Sequence, residues 1–490
     1  MNRHLFDALR EPLPDAEVAF ESGTTRLALS HFRTLAEDLA TDLIDMEARR
    51  VAIYADNGID WVVADIACQV AGLTVIPLPL FFSRAQIQHA IESGGVDTII
   101  TDREIGDVIP DAQPAAVDHI YRLPPPRVPA LPSGTQKITF TSGTTGAPKG
   151  VCLSLDQQLA LAQALASLVG VDKPRHLCVL PLSTLLENLA GVYAPLLAGG
   201  TVIVPTLAEV GLTGSSGLDV ERWLACIERS RPNTLILVPE MLNALTLAAA
   251  AGWQPPESLR FVAVGGGKVA PEMLRRARLF GIPAFEGYGL SECGSVVCIN
   301  APGADRPGAV GRPLPHVDVS IEHDEIVVRG NSFLGYVNQP DSWGADMVRT
   351  GDIGFIDDDG YVHVNGRRKH QLITSFGRNL SPEWVESELL AGPALNQAVI
   401  IGDDRPYCVA LVYPRNPSTS DADIANWIRA TNHRLPDYAR ICAWHRLPKA
   451  LGHSNGLLTE NGRPKRANIE ATYQTVIDDL YDVHKEVSGL

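Results

Sequence analysis

Residues 51–102 fix the fold class before any other feature is considered. VAIYAD is rich in β-forming residues and GIDWVVADIACQVAG carries apolar residues at helical spacing. TVIPL is β-like again, RAQIQHAIESGG is helical, and DTIIT closes the unit. Strand and helix in strict alternation imply a parallel sheet covered by helices. The most apolar stretch, 58–82, is interrupted by Asp60, Asp65 and Gln69 and broken by Pro77 and Pro79. It therefore reads as a buried helix and strand, not a membrane span.

A proline-rich connector, LPPPRVPALPSG, follows at 123–134, and then the alternation resumes. KITF is a strand, 154–168 a helix, and LCVLPL and TVIVP strands. DVERWLACIERS is a helix, followed by TLILVP, a further helix, RFVAV and AFEGYG. From about Val310 the texture changes to short strands with acidic turns, HVDVSIEHDEIVVRG and DIGFIDDDGYVHVNG, an antiparallel or barrel-like signature. Beyond residue 366 lies a small α+β region. There SPEWVESELL is a helix with Ser381 as its N-cap and Pro382 in its first position, and AVIIGDD and YCVALVYP are strands. The expected organisation is an α/β protein. A large N-terminal domain, 1–366, holds two α/β sheet units plus a small β-barrel-like unit at about 310–366. A small mobile α+β domain, 367–490, follows.

At 490 residues the chain is long enough for about three ordinary domains. Its formal net charge is -16 and it contains no long Lys/Arg run. That argues against nucleic acid as a partner, because a phosphate backbone needs a basic surface. A nucleotide needs only a local positive site and stays open. Eight scattered cysteines form no CxxC, and Cys293 and Cys298, the nearest pair, read as core. This suggests a reducing, cytoplasmic compartment. The N-terminal segment shows no apolar signal core.

The strongest chemical signal is TSGTTGAPKG at 141–150, expected to follow a strand and precede a helix. Thr141, Ser142, Gly143, Thr144, Thr145 and Gly146 leave hydroxyls and backbone N–H groups free to surround phosphate oxygens, and Lys149 adds a positive charge. The spacing is not that of the Walker loop, since Lys149 follows Pro148. Taken alone, a polar glycine-rich stretch is also an ordinary surface turn.

The string resembles the phosphate loop of adenylate-forming enzymes, the acyl-CoA synthetases, nonribosomal adenylation domains and luciferases. Further motifs continue the resemblance in order along nearly the whole chain. EGYGLSE (286–292) is similar to the aromatic-Gly-x-Thr-Glu motif, with Ser291 in place of threonine. RTGDIG (349–354) is similar to the TGD motif, GRRK (366–369) to the hinge, and FGRNLSP (376–382) to the CoA-side loop. NGLLTENGRPKR (455–466) resembles the C-terminal motif of the long-chain fatty acyl-CoA synthetases.

The resemblance implies roles for individual residues. Tyr288, with Gly289 beside it, would stack on adenine. Gly265, Gly266 and Gly267 would let the backbone approach the nucleotide, although a tight strand-to-helix turn explains them equally simply. Glu292 would hold Mg²⁺, a hard cation that takes carboxylate oxygen, with Ser291 in support. Asp352 would accept from the ribose hydroxyls and Arg367 would bind ribose or phosphate, while Lys369 occupies the hinge. The implied reaction makes an acyl-adenylate and pyrophosphate from a carboxylic acid and ATP. It then passes the acyl group to a thiol and releases AMP, behind a closing C-terminal domain that excludes water. The implied cofactors are ATP, Mg²⁺ and CoA, or the phosphopantetheine of an acyl carrier protein. Peripheral contact with a membrane stays open.

The chain departs from the pattern at three places. Thr184 stands where the family carries histidine in Pro-Leu-x-His, so Thr184 and Leu185 are the candidate lining of an altered acyl pocket. His370 takes a position that is often acidic. Arg463, not lysine, follows Gly462, and Lys465 lies two residues on. In an extended loop, residues two apart share a side, and the expectation is that Lys465 carries the adenylation charge with Arg463 supporting it. Three readings remain: an acyl-CoA synthetase acting on a fatty or other apolar acid, an enzyme loading a carrier protein, and a degenerate member that binds nucleotide without turnover.

Overall fold

The computed structural model describes residues 5–9, 14, 15, 17–124, 127–141, 148–213, 217–376, 378–453, 455–459 and 462–488. The alternation at 51–102 forms as the sequence requires. Strands Arg50–Tyr54, Thr74–Pro77 and Thr98–Thr101 are parallel neighbours, joined by helices Ile59–Val70 and Arg84–Gly94. They belong to an eight-stranded sheet. A nine-stranded sheet carries the second unit, with Arg175–Leu177, Thr201–Ile203, Thr234–Leu237, Phe261–Val264 and Ala284–Tyr288 parallel to one another. The strand expected at LCVLPL (177–182) lies earlier, at Arg175–Leu177, and shares only Leu177 with it.

Helix Ile59–Val70 touches both sheets and is buried continuously from Trp61 to Gln69, as its all-round apolar sequence demands. It carries one charge inward. Asp65 Oδ1 lies 2.9 Å from Lys137 Nζ, and its Oδ2 accepts from Tyr193 Oη at 2.6 Å and from Asn188 Nδ2 at 3.0 Å. Burial lowers the Lys137 pKa, and the Asp65 charge opposes that shift. Lys137 opens a strand of one sheet, while Asn188 and Tyr193 sit on a π-helical segment, Glu187–Tyr193, that covers the other. A buried network of this kind fixes how the two units meet.

The texture change near Val310 is a four-stranded antiparallel sheet of Asp318–Glu322, Glu325–Arg329, Met347–Ile356 and Val362–Arg367. After it comes a three-stranded sheet, Leu395–Ile401, Cys408–Pro414 and Ile441–Arg446. One face packs on helices Pro382–Leu390 and Asp421–Asn432, and the other on Arg466–Ser488. Ser381 is the N-cap residue by position, but its hydroxyl donates to Glu383 Oε2 at 3.1 Å and accepts no cap bond. Seven cysteines are buried, Cys442 is exposed, and all eight are free. Among the described residues no helix is long and apolar enough to cross a membrane.

Candidate active site

The expected phosphate loop has a different context from the one its sequence suggests. Thr141 ends strand Lys137–Thr141 and pairs antiparallel with Lys149, which opens strand Lys149–Leu153. The segment therefore joins two strands of a hairpin. Helix Leu155–Leu168 starts only afterwards, behind a capping box formed by Ser154 and Gln157. The segment is thus followed by a strand and not directly by a helix N-terminus. Ser142, Gly143, Thr144, Thr145 and Gly146 lie outside the described residues.

The remaining motif residues gather at the carboxyl ends of the parallel strands, where open α/β sheets bind ligands. Gly265, Gly266 and Gly267 turn the chain just after strand Phe261–Val264, with Gly266 at φ +80°. Ala284–Tyr288 ends on Tyr288. Gly289 follows at a place that tolerates no side chain, because an added Cβ would stand 1.7 Å from the Ser295 carbonyl oxygen.

Tyr288 Oη donates to Asp352 Oδ2 at 2.5 Å, and Arg367 Nε lies 2.7 Å from Asp352 Oδ1. Asp352 and Arg367 are register partners on adjacent antiparallel strands, so the pairing is built into the four-stranded sheet. Burial pushes the pKa of Asp352 up while Arg367 and Tyr288 pull it down. Burial, then the neighbouring carboxylate, raises that of Tyr288 well above its ordinary value. Asp352 is only 4 % exposed, and its backbone N–H donates to Thr350 Oγ1 at 3.0 Å.

Ser291 and Glu292 sit on the short 3₁₀ turn Ser291–Cys293. Glu292 Oε1 accepts from Tyr336 Oη at 2.8 Å, and Lys149 Nζ stands 5.0 Å from the centre of the same Tyr336 ring. One half-buried carboxylate beside a lysine fits a hard divalent cation whose other ligands come from a triphosphate.

Positive charge converges on this edge from three distant segments. Burial first, then the like charges of Arg367, Arg463 and Lys149, lowers the Lys369 pKa. Arg463 is likewise lowered, by burial and then by Arg367, against the opposing pull of Asp352, Glu383 and Glu240. Its surface stays open to solvent on one side even though protein closes round the rest. Four cations crowding one another, with Asp352 already engaged, make a natural seat for a polyanion.

The structure brings Arg463 to this cluster. Arg463 and Lys465 lie on one arm of the loop. The Lys465 backbone closes the loop and opens the last helix. Its N–H donates to the Leu457 carbonyl at 2.9 Å, and its carbonyl accepts from Asn468 and Ile469. Lys369 lies in the 3₁₀ turn Arg368–His370, and His370 Nδ1 is 2.7 Å from Glu383 Oε1. Thr184 and Leu185 are not among the residues lining the apolar cavity bounded by Leu186, Ala190 and His176. The Thr184 hydroxyl donates to the Pro181 carbonyl at 2.6 Å, Leu185 is buried in the core, and Leu186 reaches the cavity wall. Sequence reasoning missed Tyr336 and Glu383. Tyr336 lies 44 residues from its partner in no motif, and Glu383 looked like an ordinary first-turn acid of its helix.

The pattern of the AMP-binding enzyme family matches residues 8–336, and that of the AMP-binding enzyme C-terminal domain matches 369–485. Over 343 residues the chain is 31% identical to a 2-succinylbenzoate–CoA ligase of Bacillus velezensis, covering 66% of this chain and just under two thirds, 64%, of that protein. It is 28% identical to a feruloyl-CoA synthase of an Amycolatopsis species over 90% of this chain and 92% of the relative. Among solved structures, the anthranilate CoA ligase AuaEII in complex with anthranoyl-AMP shares the fold, with a TM-score of 0.81 at 17% identity over 97% of this chain and 98% of that one. The chain belongs to the AMP-binding enzyme family.

Proposed function

We propose that the chain activates a carboxylic acid with ATP and passes the acyl group to a thiol, that of CoA in the first instance. The observation that carries this reading is the convergence of Lys149, Arg367, Lys369 and Arg463 beside the Tyr288–Asp352 pair. That arrangement suits a nucleotide whose ribose hydroxyls reach Asp352 and whose phosphates lie among the cations. The acid oxygen attacks the α-phosphorus and the bond to pyrophosphate breaks. The thiol sulfur then attacks the acyl carbonyl and AMP leaves. Glu292 is the residue that would hold Mg²⁺, which supplies charge neutralisation on the phosphates when bound. Both relatives carry acid–CoA ligase or synthase names, which supports the general chemistry. Their acids differ, so neither acid is transferred here. An acyl carrier protein is the alternative acceptor, residues 367–490 are the mobile domain, and the cytoplasm is the proposed compartment.

The test is acid-dependent exchange of labelled pyrophosphate into ATP over a panel of acids, followed by thioester formation with CoA or a phosphopantetheinylated carrier. Glu292→Gln is expected to lose exchange by about 100-fold or more while the protein keeps its thermal transition, because it removes one charge from the cation seat. Near-normal exchange in the folded variant would move the metal to another carboxylate. Exchange with no acid at all would overturn the ligase reading.

A further inference from the structure

An apolar cavity of about 60 Å³ lies between the nine-stranded sheet and the helical segments Leu155–Leu168 and Glu187–Tyr193. Small side chains, Ala166, Ala190, Ala194 and Ala263, keep it open. Two of its lining residues are polar, His176 and Thr234, and they are register partners on neighbouring parallel strands.

Behind them is a buried acid. His176 Nδ1 is 2.9 Å from Thr234 Oγ1, and its Nε2 is 3.1 Å from Glu187 Oε1. Glu187 is 0% exposed, and its second oxygen has no hydrogen-bond partner. The chain makes special room for this pair. The segment adopts π-helical geometry, and an added Cβ on Gly191 would stand 2.8 Å from both Glu187 Oε1 and His176 Nε2. Burying a carboxylate and an imidazole beneath an apolar cavity is costly, and valine or leucine would fill the same space for a plain hydrocarbon tail.

The hydrogen-bond polarity states what the cavity end offers. An ionised Glu187 only accepts, so His176 Nε2–H donates to it. Nδ1 then accepts from the Thr234 hydroxyl, whose oxygen retains lone pairs for a donor in the cavity. A ligand hydroxyl is such a donor. Thr234 is level with Phe261, and Gly265 lies four residues farther along the strand, a separation of about 13 Å at 3.3 Å per residue.

We propose that the acid is hydroxylated: an extended apolar body with its carboxylate at the Gly265 edge and a hydroxyl at the far end, received by Thr234 and the His176–Glu187 pair. This rests on the ligase reading above and deepens it by naming the class of acid. The test uses the full chain and pairs of acids, straight-chain and aryl, matched in length around that separation and differing only in a terminal hydroxyl against hydrogen. In pyrophosphate exchange the wild type is expected to favour the hydroxylated member of a matched pair by about 3- to 10-fold in kcat/KM, because the ligand hydroxyl adds one hydrogen bond to the free lone pair of Thr234 Oγ1 in a site shielded from water. Thr234→Val is expected to bring that ratio close to one, and Thr234→Ser to restore it. Because the ratio is taken within one protein, a general loss of activity cancels. Parity in every wild-type pair, preference for the unhydroxylated member, or an unchanged ratio in Thr234→Val would overturn the proposal while leaving the ligase reading intact. Exchange with no acid would overturn both.

Discussion

Tyr288 donates its phenolic hydrogen to one oxygen of Asp352 while the other oxygen holds Arg367, so one buried carboxylate orients an aromatic ring and a guanidinium together. Asp352→Asn keeps an acceptor for Tyr288 but places an amide N–H₂ against Arg367. Loss of a hydrogen bond to a charged group costs about 1.5–3 kcal/mol. The expected outcome is about 10- to 100-fold weaker ATP and AMP binding by calorimetry. Tyr288→Phe, which spares the Asp352–Arg367 pair, is expected to lose less. Unchanged nucleotide affinity in Asp352→Asn would remove Asp352 from the nucleotide seat.

Two groups give the fold opposed pH dependences. Glu286 is buried with Oε2 unpartnered, and burial raises its pKa from 4.5 to about 7. The folded state binds that proton more tightly, so stability is greatest below pH 4.5 and declines as pH rises to about 7. His316 is half-buried with both ring nitrogens shielded and unbonded, and burial lowers its pKa from 6.5 to about 4. Its contribution is whole above pH 6.5 and is lost as pH falls towards 4. Each effect is on the order of 3 kcal/mol. Between pH 4.5 and 6.5 the two slopes oppose each other. Glu286→Gln is expected to show stability rising with pH in that window, and His316→Phe stability falling. Urea midpoints at three pH values check this, and parallel curves for the variants and wild type would refute it.

The regular parts of the fold were legible because their signals are local. The 51–102 unit follows from apolar spacing alone, and the glycines at 265–267 mark a turn that the structure places at the strand ends. Three things were hidden, each for its own reason. Strand Lys149–Leu153 is short and runs straight into a capped helix, so its separate identity was lost and the phosphate-loop segment was assigned the wrong neighbour. The π-helical turn at 187–193 follows neither a 3.6 nor a 2.0 period, so nothing in the spacing announced it. The pairings Asp65–Lys137 and His176–Thr234 join residues 72 and 58 positions apart, and only the sheet topology brings them together.

Residues 390 and 391, beyond the proposed hinge, bond to helices Pro239–Ala250 and Pro271–Leu279. The Leu390 carbonyl accepts from Asn243 Nδ2 at 2.9 Å and the Ala391 carbonyl from Arg276 at 2.5 Å, while Phe376 of the FGRNLSP loop is 72% exposed. If thioester formation needs a rotation about Lys369 that brings that loop inward, Lys369→Pro should block it, because proline fixes φ and removes a donor. Single-turnover transfer from pre-made acyl-adenylate to CoA is expected to slow by at least about tenfold, with pyrophosphate exchange much less affected. Equal loss of both half-reactions would count against the rotation.

The loop at 457–465 sets out the choice of adenylation cation as a matter of geometry. Thr459 N–H donates to the Arg463 carbonyl at 2.8 Å, and Arg463 N–H returns a bond to Thr459 Oγ1 at 3.0 Å. This hairpin presents the Arg463 side chain to Asp352, Arg367, Glu383 and Glu240, and burial there lowers its pKa. Arg463 and Lys465 are both exposed, and the Lys465 backbone bonds to the start of helix Arg466–Ser488. We propose the reverse of the sequence expectation, with Arg463 acting in adenylation, because Arg463 lies among the clustered cations beside Asp352. Arg463→Ala is expected to reduce pyrophosphate exchange by about 100-fold or more while sparing thioester formation from pre-made adenylate, and Lys465→Ala to stay within about threefold of wild type in both. Arg463→Lys should recover part of the exchange, since a compact point charge replaces the charge but not the planar fork. If Lys465→Ala shows the selective loss and Arg463→Ala behaves as wild type, the loop must rearrange when nucleotide binds and Lys465 is the working cation.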